Sequence, residues 1–355
     1  MKLVRPHRPG VMNSDGHAIG VDIGATAVRA AVLTPGMVDG RPVATLHECG
    51  SVALPRGVVV DGVVREQSAV TAALKQLWRE NKLNCKRVVL GIANPQILVR
   101  DMQMPDMPAD QRAKALPFRA REVVALPMDQ VILDFAPLGD PDPDTGLQTG
   151  LLVATPHQPV LAAVEAAERA GLTVARVDLS SLGTLRAAAD ERLRVEAVIA
   201  VGADLTTIVI HDHGIPKLVR SVAQGGRHLT EALADKLRLE ADEAEAAKLH
   251  EGLVGDDAAI SRALNEGVRP LITEIRSSIN YYTANDGSPL ERISLTGGAA
   301  ALRGLPGLLS AQLGVPTDVV DPMRRVRLAG TPQPNRPLPV VPTAVAVGLA
   351  MGAAA

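Results

Sequence analysis

Alternation of apolar runs with turn-forming residues near the start of the chain predicts a β-hairpin. The apolar runs 18–21 and 27–33 are separated by the turn Asp-Ile-Gly-Ala-Thr at 22–26. Short runs rich in β-branched residues on either side of a Gly-containing turn are typical of paired strands. We therefore expect the first folded unit to open with this hairpin.

A second hairpin of the same design is predicted about half the chain later. The apolar runs 198–201 and 205–210 flank a turn at 202–204, and placing Gly24 on Gly202 aligns the apolar positions of both hairpins at an offset of 178 residues. A recurring strand–turn–strand unit indicates duplicated lobes. Ligands favour the cleft between two such lobes.

The segment between the hairpins predicts a further mixed unit. Two strands are expected within 87–104, single strands at 131–138, 147–155 and 172–177, and helices at 109–124 and 158–170. The polar tract 139–146 consists of turn-forming residues and should connect two strands of one small sheet. We therefore assign 86–177 to an inserted α+β subdomain.

The rest of the chain completes an α/β architecture of two lobes. A helical stretch is expected at 230–251, a helix at 268–284, a strand at 292–296 and a final helix at 343–352. A chain of 355 residues is too long for one core, since domains average about 150 residues. The predicted units are a flexible leader at 1–16, the first lobe at 17–85 and 178–194, the second lobe at 195–342, and a closing helix at 343–355.

Composition narrows the possible functions. A net charge of −2 and an aromatic content of 1% offer neither a basic surface for phosphates nor stacking platforms for bases, so nucleic-acid binding is not expected. The only cysteines, Cys49 and Cys85, suit reduced thiols in a reducing compartment. No apolar run is long enough to span a membrane, and 1–16 lacks the apolar core of a signal peptide. These features favour a cytoplasmic protein.

The first hairpin turn has the residues that wrap a phosphate. Gly24 and Ala25 let backbone N–H groups approach an anion, Thr26 offers a hydroxyl, and Asp22 is placed to hold a metal-bound water. An ordinary hairpin turn is the alternative interpretation.

The second turn is similar but carries its charge elsewhere. Gly202 and Ala203 repeat the small residues, whereas the position equivalent to Asp22 is Ala200. Asp204 instead brings a carboxylate into the turn, where it would repel phosphate. Either Asp204 has taken over a metal role or nucleotide affinity is weakened.

Two further segments carry candidate ligand-binding residues. Gly297 and Gly298 lie between a strand and a helical segment, where they allow a flat ligand to approach the backbone, although a plain strand-to-helix turn explains them as well. Glu245 and Lys248 lie on one helix face and are suited to a ribose and its neighbours. A solvated surface ion pair is the alternative for this pair.

Phe118 is the aromatic residue of a helix that otherwise lacks aromatics. We interpret it as a core anchor, with a contact to a partner as the alternative.

The order of these motifs along the chain carries a family resemblance. The sequences at 21–26, 201–203, 245–248 and 296–299 resemble the two phosphate loops, the adenosine-side helix and the adenosine turn of the actin-like (ribonuclease H-like) ATPase superfamily. Within it, the chain resembles the PilM family of type IV pilus assembly proteins from about residue 19 to 352. The segments that favour PilM over the division protein FtsA are 104–108, 125–129, 223–230 and 274–282.

The resemblance implies a nucleotide site between the lobes. It implies ATP with Mg²⁺, and Asp22 as the metal-side carboxylate. The residues implied to bind the nucleotide are Asp22, Gly24, Ala25, Thr26, Gly202, Ala203, Asp204, Glu245, Lys248, Gly297 and Gly298.

The resemblance also implies partners and a location. A cleft on the first lobe would receive the N-terminal tail of a PilN-like inner-membrane protein, and a cytoplasmic pilus motor ATPase is a second expected partner. The protein would be cytoplasmic and peripheral at the inner membrane through its partner, without inserting directly.

Departures from the family pattern bear on catalysis. The family's second phosphate loop usually begins with Asp where this chain has Ala200. Hydrolysis in this fold needs a correctly held metal and an oriented water. We therefore expect a nucleotide-stabilised scaffold with weak or absent ATP hydrolysis.

Two other functions fit part of the sequence. The segment 20–32 is close to the opening phosphate loop of ROK-type sugar kinases, but the chain lacks their cysteine-rich zinc motif. An FtsA-like filament-forming membrane tether would need a basic amphipathic C-terminal helix, and 344–355 contains neither Lys nor Arg.

Overall fold

The computed structural model describes residues 12–13, 16–38, 41–286, 288–329 and 343–354. Most of the leader predicted at 1–16, and the segment 330–342 assigned to the second lobe, lie outside these ranges. The strands are β1 (Ala18–Ile23), β2 (Ala27–Val38), β3 (Arg41–Ala53), β4 (Val59–Val60), β5 (Val63–Val64), β6 (Arg87–Ile92), β7 (Leu98–Pro105), β8 (Val131–Pro137), β9 (Leu147–Pro156), β10 (Thr173–Leu179), β11 (Val195–Val201), β12 (Thr206–Asp212), β13 (Ile215–Val222), β14 (Arg292–Thr296), β15 (Thr317–Val319) and β16 (Val326–Leu328). The helices are α1 (Gln67–Glu80), α2 (Ala109–Ala120), α3 (His157–Arg169), α4 (Ser180–Ala188), α5 (Gly226–Leu237), α6 (Ala241–Glu251), α7 (Ala258–Gly267), α8 (Arg269–Asp286), α9 (Leu305–Leu313) and α10 (Ala344–Ala354).

The first sheet is covered by helices on both faces. Its strand order is β10-β6-β1-β2-β3-β16. Because successive side chains of a strand point to opposite faces, Ile19 and Val21 pack in a core with α1 and α3, whereas Ala18 packs with α10. Burial on both faces explains why β1 is almost entirely apolar.

The second sheet repeats the arrangement of the first. Its order is β13-β12-β11-β14-β15, and helices α5 to α9 supply the core on one face. The duplication extends to individual hydrogen bonds. The Gly24 N–H donates to the Ala27 carbonyl at 3.0 Å, and the Gly202 N–H donates to the Leu205 carbonyl at 2.9 Å, at the predicted offset of 178 residues. The paired hairpins are therefore confirmed.

A separate three-stranded sheet, ordered β7-β9-β8, forms the insertion. The insertion spans fewer residues than the predicted range 86–177, because β6 and β10 pair with each other within the first sheet. The strands of the separate sheet lie within 98–156. As expected, the polar tract 139–146 joins two antiparallel strands, β8 and β9.

Three other sequence expectations differ from the structure. The helical stretch expected at 230–251 is two helices, because Arg238 adopts a left-handed conformation (φ 57°) between α5 and α6. Strand β16 pairs with β3 of the first sheet, although 195–342 was assigned to the second lobe. The interpretation of Phe118 as a core anchor is wrong: its side chain is 70% exposed, whereas Leu116 and Ala120 form the buried face of α2.

The closing helix is confirmed as α10, which packs against β1 and α4 at backbone contact distance. A Cβ atom at Gly348 would lie 1.7 Å from the Gly183 carbonyl oxygen, and one at Gly20 would lie 2.0 Å from the Ala346 carbonyl oxygen. Small residues are required here because main chain meets main chain. Among the described residues, no helix is both long and apolar enough to cross a membrane.

This packing predicts opposite effects for one substitution at two helical glycines. Gly348→Ala should lower the free energy of unfolding by at least about 2 kcal/mol, because the backbone of α4 cannot give way. Gly307→Ala in α9 meets no atom within 4 Å and should raise the free energy of unfolding by about 0.5 kcal/mol through helix propensity. Urea unfolding of both variants measures the difference, and equal effects would contradict this packing.

Candidate functional site

A cavity of about 570 Å³ lies between the two lobes. Four segments that are distant in sequence meet there: the β1–β2 turn, the β11–β12 turn, helix α6 and the turn after β14. Every residue predicted to bind nucleotide lines this one cavity: Asp22, Gly24, Ala25, Thr26, Gly202, Ala203, Asp204, Glu245, Lys248, Gly297 and Gly298. The fold therefore brings the predicted residues together.

Glycines in the cavity wall permit close backbone contacts. A Cβ atom at Gly202 would lie 2.7 Å from the Leu205 carbonyl oxygen. Gly297 has a φ of 91°, and its Cβ would lie 2.5 Å from the Val201 carbonyl oxygen. Gly298 differs, since a Cβ there would meet no heavy atom within 4 Å. Gly297 thus shapes the wall, and Gly298 leaves space beside it.

Asp22 faces a guanidinium group. Its Oδ2 lies 3.5 Å from Nη1 of Arg29, and Nη2 of Arg29 donates to the Thr26 hydroxyl at 3.3 Å. Burial raises the pKa of Asp22 above its ordinary value, and the positive charge of Arg29 opposes that shift. Arg29 therefore compensates the negative charge of the Asp22 carboxylate at the first turn.

Asp204 is also paired with a guanidinium. Nη1 of Arg227, at the start of α5, lies 2.8 Å from Oδ1 of Asp204. Burial raises the pKa of Asp204 and the charge of Arg227 opposes that shift. Nη2 of Arg227 also donates to the Ala25 carbonyl of the first lobe at 3.5 Å. The sequence suggested a metal role or weakened affinity for Asp204, but the structure shows that an arginine compensates its charge.

Lys248 ties two helices together at the cavity wall. It is buried, and its Nζ donates to the Gly226 carbonyl at 3.0 Å, the Thr230 hydroxyl at 2.8 Å and Glu245 Oε2 at 2.7 Å. Burial acts to raise the pKa of Glu245, but hydrogen bonds from Lys248 and Thr230 hold that pKa below its ordinary value. Because Lys248 is buried, the alternative of a solvated surface pair does not describe it.

Sequence reasoning missed three arginines that line the cavity: Arg29, Arg56 and Arg227. Guanidinium groups bind phosphate oxygens through two parallel hydrogen bonds and are enriched at phosphate sites. Arg29 lies in β2, three residues after the turn predicted to bind phosphate, so its position in the sequence could have indicated it. Arg227 lies in the segment 223–230 that resembles PilM, whereas no local motif indicated Arg56.

The carboxylates of the cavity do not form a ready-made metal cage. Within the part of the chain that the structure describes, no three His, Cys, Asp or Glu side chains are grouped closely enough to hold a metal ion. Mg²⁺ in nucleotide sites is commonly held by one or two carboxylates together with phosphates and water. The donor set around Asp22 fits an ion that arrives with a nucleotide, rather than one bound alone.

A family model and a solved structure each match nearly the whole chain. A family model described as type IV pilus assembly protein PilM matches residues 20–354. A solved PilM–PilN type IV pilus biogenesis complex contains a chain 27% identical, with a TM-score of 0.79, covering 95% of this chain and 98% of that one.

Two more distant proteins are also similar to this chain. The ethanolamine utilization protein EutJ from Carboxydothermus hydrogenoformans is 17% identical, with a TM-score of 0.55 over 98% of this chain and 92% of its own, a likeness of fold alone. The cell division protein FtsA of Bacillus subtilis (strain 168) is 22% identical over 262 residues, which are 67% of this chain and 58% of FtsA.

The Arg227–Asp204 pair predicts a pH-dependent loss of stability. Arg227→Met leaves a buried carboxylate without its cation and should cost about 3 kcal/mol. Removing this charge raises the folded-state pKa of Asp204 further above its unfolded value, so the deficit should grow as pH rises from 5 to 8. Urea unfolding at both pH values measures it.

Two controls separate charge from packing in that experiment. Asp204→Leu added to Arg227→Met removes the stranded carboxylate and should recover most of the loss. Arg303→Met removes an exposed arginine and should change little. A deficit that is the same at pH 5 and pH 8 would contradict the electrostatic explanation.

Proposed function

The chain belongs to the PilM family of type IV pilus assembly proteins, and we propose that it is an ATP-binding scaffold of the pilus assembly platform. Its fold is that of the actin-like ATPases. In this proposal the inter-lobe cavity holds ATP, and the insertion region binds the N-terminal tail of a PilN-like inner-membrane protein.

The observation that carries the nucleotide proposal is the convergence of both duplicated turns on one cavity. The N–H groups of Gly24 and Gly202 close their own turns. The next backbone N–H groups, at residues 25–26 of the first turn and 203–204 of the second, would approach the phosphates from opposite lobes. Arg29 and Arg227 would contribute charge-assisted hydrogen bonds. Each arginine is already held in the wall by a neighbouring carboxylate, which favours a preorganised site.

The remaining cavity residues would contact the adenine, the ribose and the metal ion. Gly297 and Gly298 would face the adenine, where the open space beside Gly298 admits a flat ring. Glu245 would accept hydrogen bonds from the ribose, oriented by Lys248. Mg²⁺ would neutralise the phosphates, and Asp22 would reach it through water.

We propose binding without efficient turnover. Ala200 lines the cavity where the first lobe has Asp22, so the second lobe brings no equivalent carboxylate to a metal. The other carboxylate of that turn, Asp204, is engaged by Arg227. A nucleotide would then stabilise the closed lobes by binding the folded state.

Filling the space beside Gly298 tests the nucleotide site. Gly298→Arg should weaken ATP binding at least 100-fold, because its side chain would occupy the proposed adenine pocket without straining the backbone. Gly307→Arg adds the same side chain on exposed α9 and should leave affinity unchanged. Calorimetric titration with ATP and Mg²⁺ measures the affinity of both variants. Equal affinities would show that the adenine does not bind beside Gly298.

The proposed peptide site lies where the insertion meets the first lobe. Strand β8 is an edge of its three-stranded sheet. Ile132 of β8 and Leu138 after it face the same core as Val164 and Val174 of the first lobe, and all four are only partly buried. An extended apolar peptide could add to the sheet edge and cover these side chains, a common mode of peptide recognition.

The similar solved structure, a PilM–PilN complex, supports a PilN-like partner. A membrane-anchored partner would hold the protein peripherally at the cytoplasmic face of the inner membrane. A cytoplasmic pilus motor ATPase remains a proposed second partner.

An apolar-to-acidic change tests the peptide groove. Ile132→Asp should weaken binding of the N-terminal peptide of the PilN-like protein at least tenfold, because it places a charge among apolar contacts. Ile215→Asp, on the exposed edge strand β13, is the matched control and should bind normally. Fluorescence anisotropy measures both. Normal binding by Ile132→Asp would place the groove elsewhere, and no binding by the unmodified protein would refute the partner.

A further inference from the structure

The end of α2 carries an exposed apolar cluster, here called the α2 tip and comprising residues 114–126. Phe118 is 70% exposed, Val123 49% and Leu126 36%. The chain has only two Phe, two Tyr and one Trp, and Phe135, Tyr282 and Trp78 are buried. Exposed apolar residues that cluster rather than scatter mark interaction surfaces.

The α2 tip is also basic. Residues 114–126 contain three basic side chains, Lys114, Arg119 and Arg121, and one acidic side chain, Glu122. Lys114, Arg119 and Arg121 are exposed, and none of them is paired with a carboxylate in the part of the chain that the structure describes. The guanidinium carbon of Arg121 lies 5.5 Å from the centre of the Phe118 ring, within cation–π range. The ring and its flanking cations therefore form one surface.

The α2 tip is held firmly on the insertion. Leu116 and Ala120 on the opposite face of α2 pack into a core with Phe135 and Leu152 of the three-stranded sheet. Phe118 points away from this core and does not line the inter-lobe cavity. The exposed side of α2 thus does not face the inter-lobe cavity, and an exposed helix surface suits a flat partner better than a peptide that needs a groove.

We propose that the α2 tip contacts an anionic lipid surface, with Phe118 entering the headgroup region and Lys114, Arg119 and Arg121 lying against lipid phosphates. Basic residues beside an exposed aromatic are the combination by which proteins lie on anionic membranes. The chain as a whole carries a net charge of −2, so the positive side of α2 determines which side approaches such a surface. The contact lies on the membrane and does not span it.

Such a contact is weak when it acts alone. Three cations and one aromatic ring give reversible association, as a single lipid anchor does. Its effect increases once another attachment holds the protein near the bilayer, because the local concentration of lipid is then high. It would fix which side of the insertion faces the membrane. That consequence rests on the proposed membrane partner, whereas the lipid contact itself does not.

Vesicle sedimentation of the full chain tests the contact without any partner or nucleotide. At millimolar lipid, vesicles of phosphatidylcholine with 30% phosphatidylglycerol should sediment the protein, roughly tenfold better than phosphatidylcholine alone. Raising NaCl to about 0.5 M should abolish the difference, because salt screens the cations.

Matched variants locate the contact. Lys114→Glu with Arg121→Glu, and separately Phe118→Ala, should each reduce binding to anionic vesicles about tenfold. Lys75→Glu with Arg79→Glu on exposed positions of α1 changes the charge equally, and Tyr281→Ala removes the other exposed aromatic. Both controls should bind as the unmodified protein does. Unchanged melting temperatures show that the variants are folded.

Three results would overturn the proposal. The first is equal sedimentation with neutral and anionic vesicles, and the second is an equal loss of binding in the α1 control. The third is absence of lipid binding together with Phe118-dependent binding of an acidic protein partner, which would assign the surface to that partner. Normal ATP and PilN-peptide binding alongside any of these results would leave the proposed function intact.

Discussion

The cleft depends on one constraint, which is that two hairpin turns from separate sheets must line the same cavity. Each turn is closed by the same hydrogen bond, from Gly24 to Ala27 and from Gly202 to Leu205. A third turn completes the wall, because Gly62 (φ 74°) fits between Ala93 and Leu205 only without a Cβ atom. With the main chain of these turns in the cavity wall, a ligand can reach backbone N–H groups as well as the arginine side chains.

The exposure of these turns to the cavity also explains how charges are arranged in the cleft. Carboxylates beside the proposed phosphate-binding turns would repel an anion. Three carboxylates that line the cavity are paired with cations: Asp22 with Arg29, Asp204 with Arg227, and Glu245 with Lys248. Buried ion pairs contribute little net stability, but removing one partner is costly. The pairs therefore hold arginines at the cavity wall in the absence of ligand, and this preorganisation reduces the ordering needed when an anion binds.

Local sequence signals predicted the parts of the fold that depend on local geometry. Gly24 and Gly202 marked the two turns because tight turns demand small residues, and the turn at Gly297 was recognised for the same reason. Non-local pairing had no such signal: β6 and β10 join the first sheet, and β16 returns to it, through contacts between residues far apart in sequence. Likewise, Arg227 lies 23 residues beyond Asp204, so their pairing cannot be recognised from the sequence. Phe118 was misjudged because residue type alone does not tell which side of a short helix is covered.

One hydrophobic core joins the regions to which we assign different functions. Val99 and Val153 of the insertion, Val177 of the first sheet, and Val198 and Val209 of the second sheet all belong to the same buried cluster. Val198 lies on β11, which leads directly into the second of the proposed phosphate-binding turns. Val99 lies on β7 of the sheet whose edge is the proposed peptide site. Close-packed cores transmit small displacements rather than absorbing them. A ligand that shifts one lobe against the other must therefore repack the cluster on which the insertion rests, and this shared core gives nucleotide and peptide a physical route by which to influence each other.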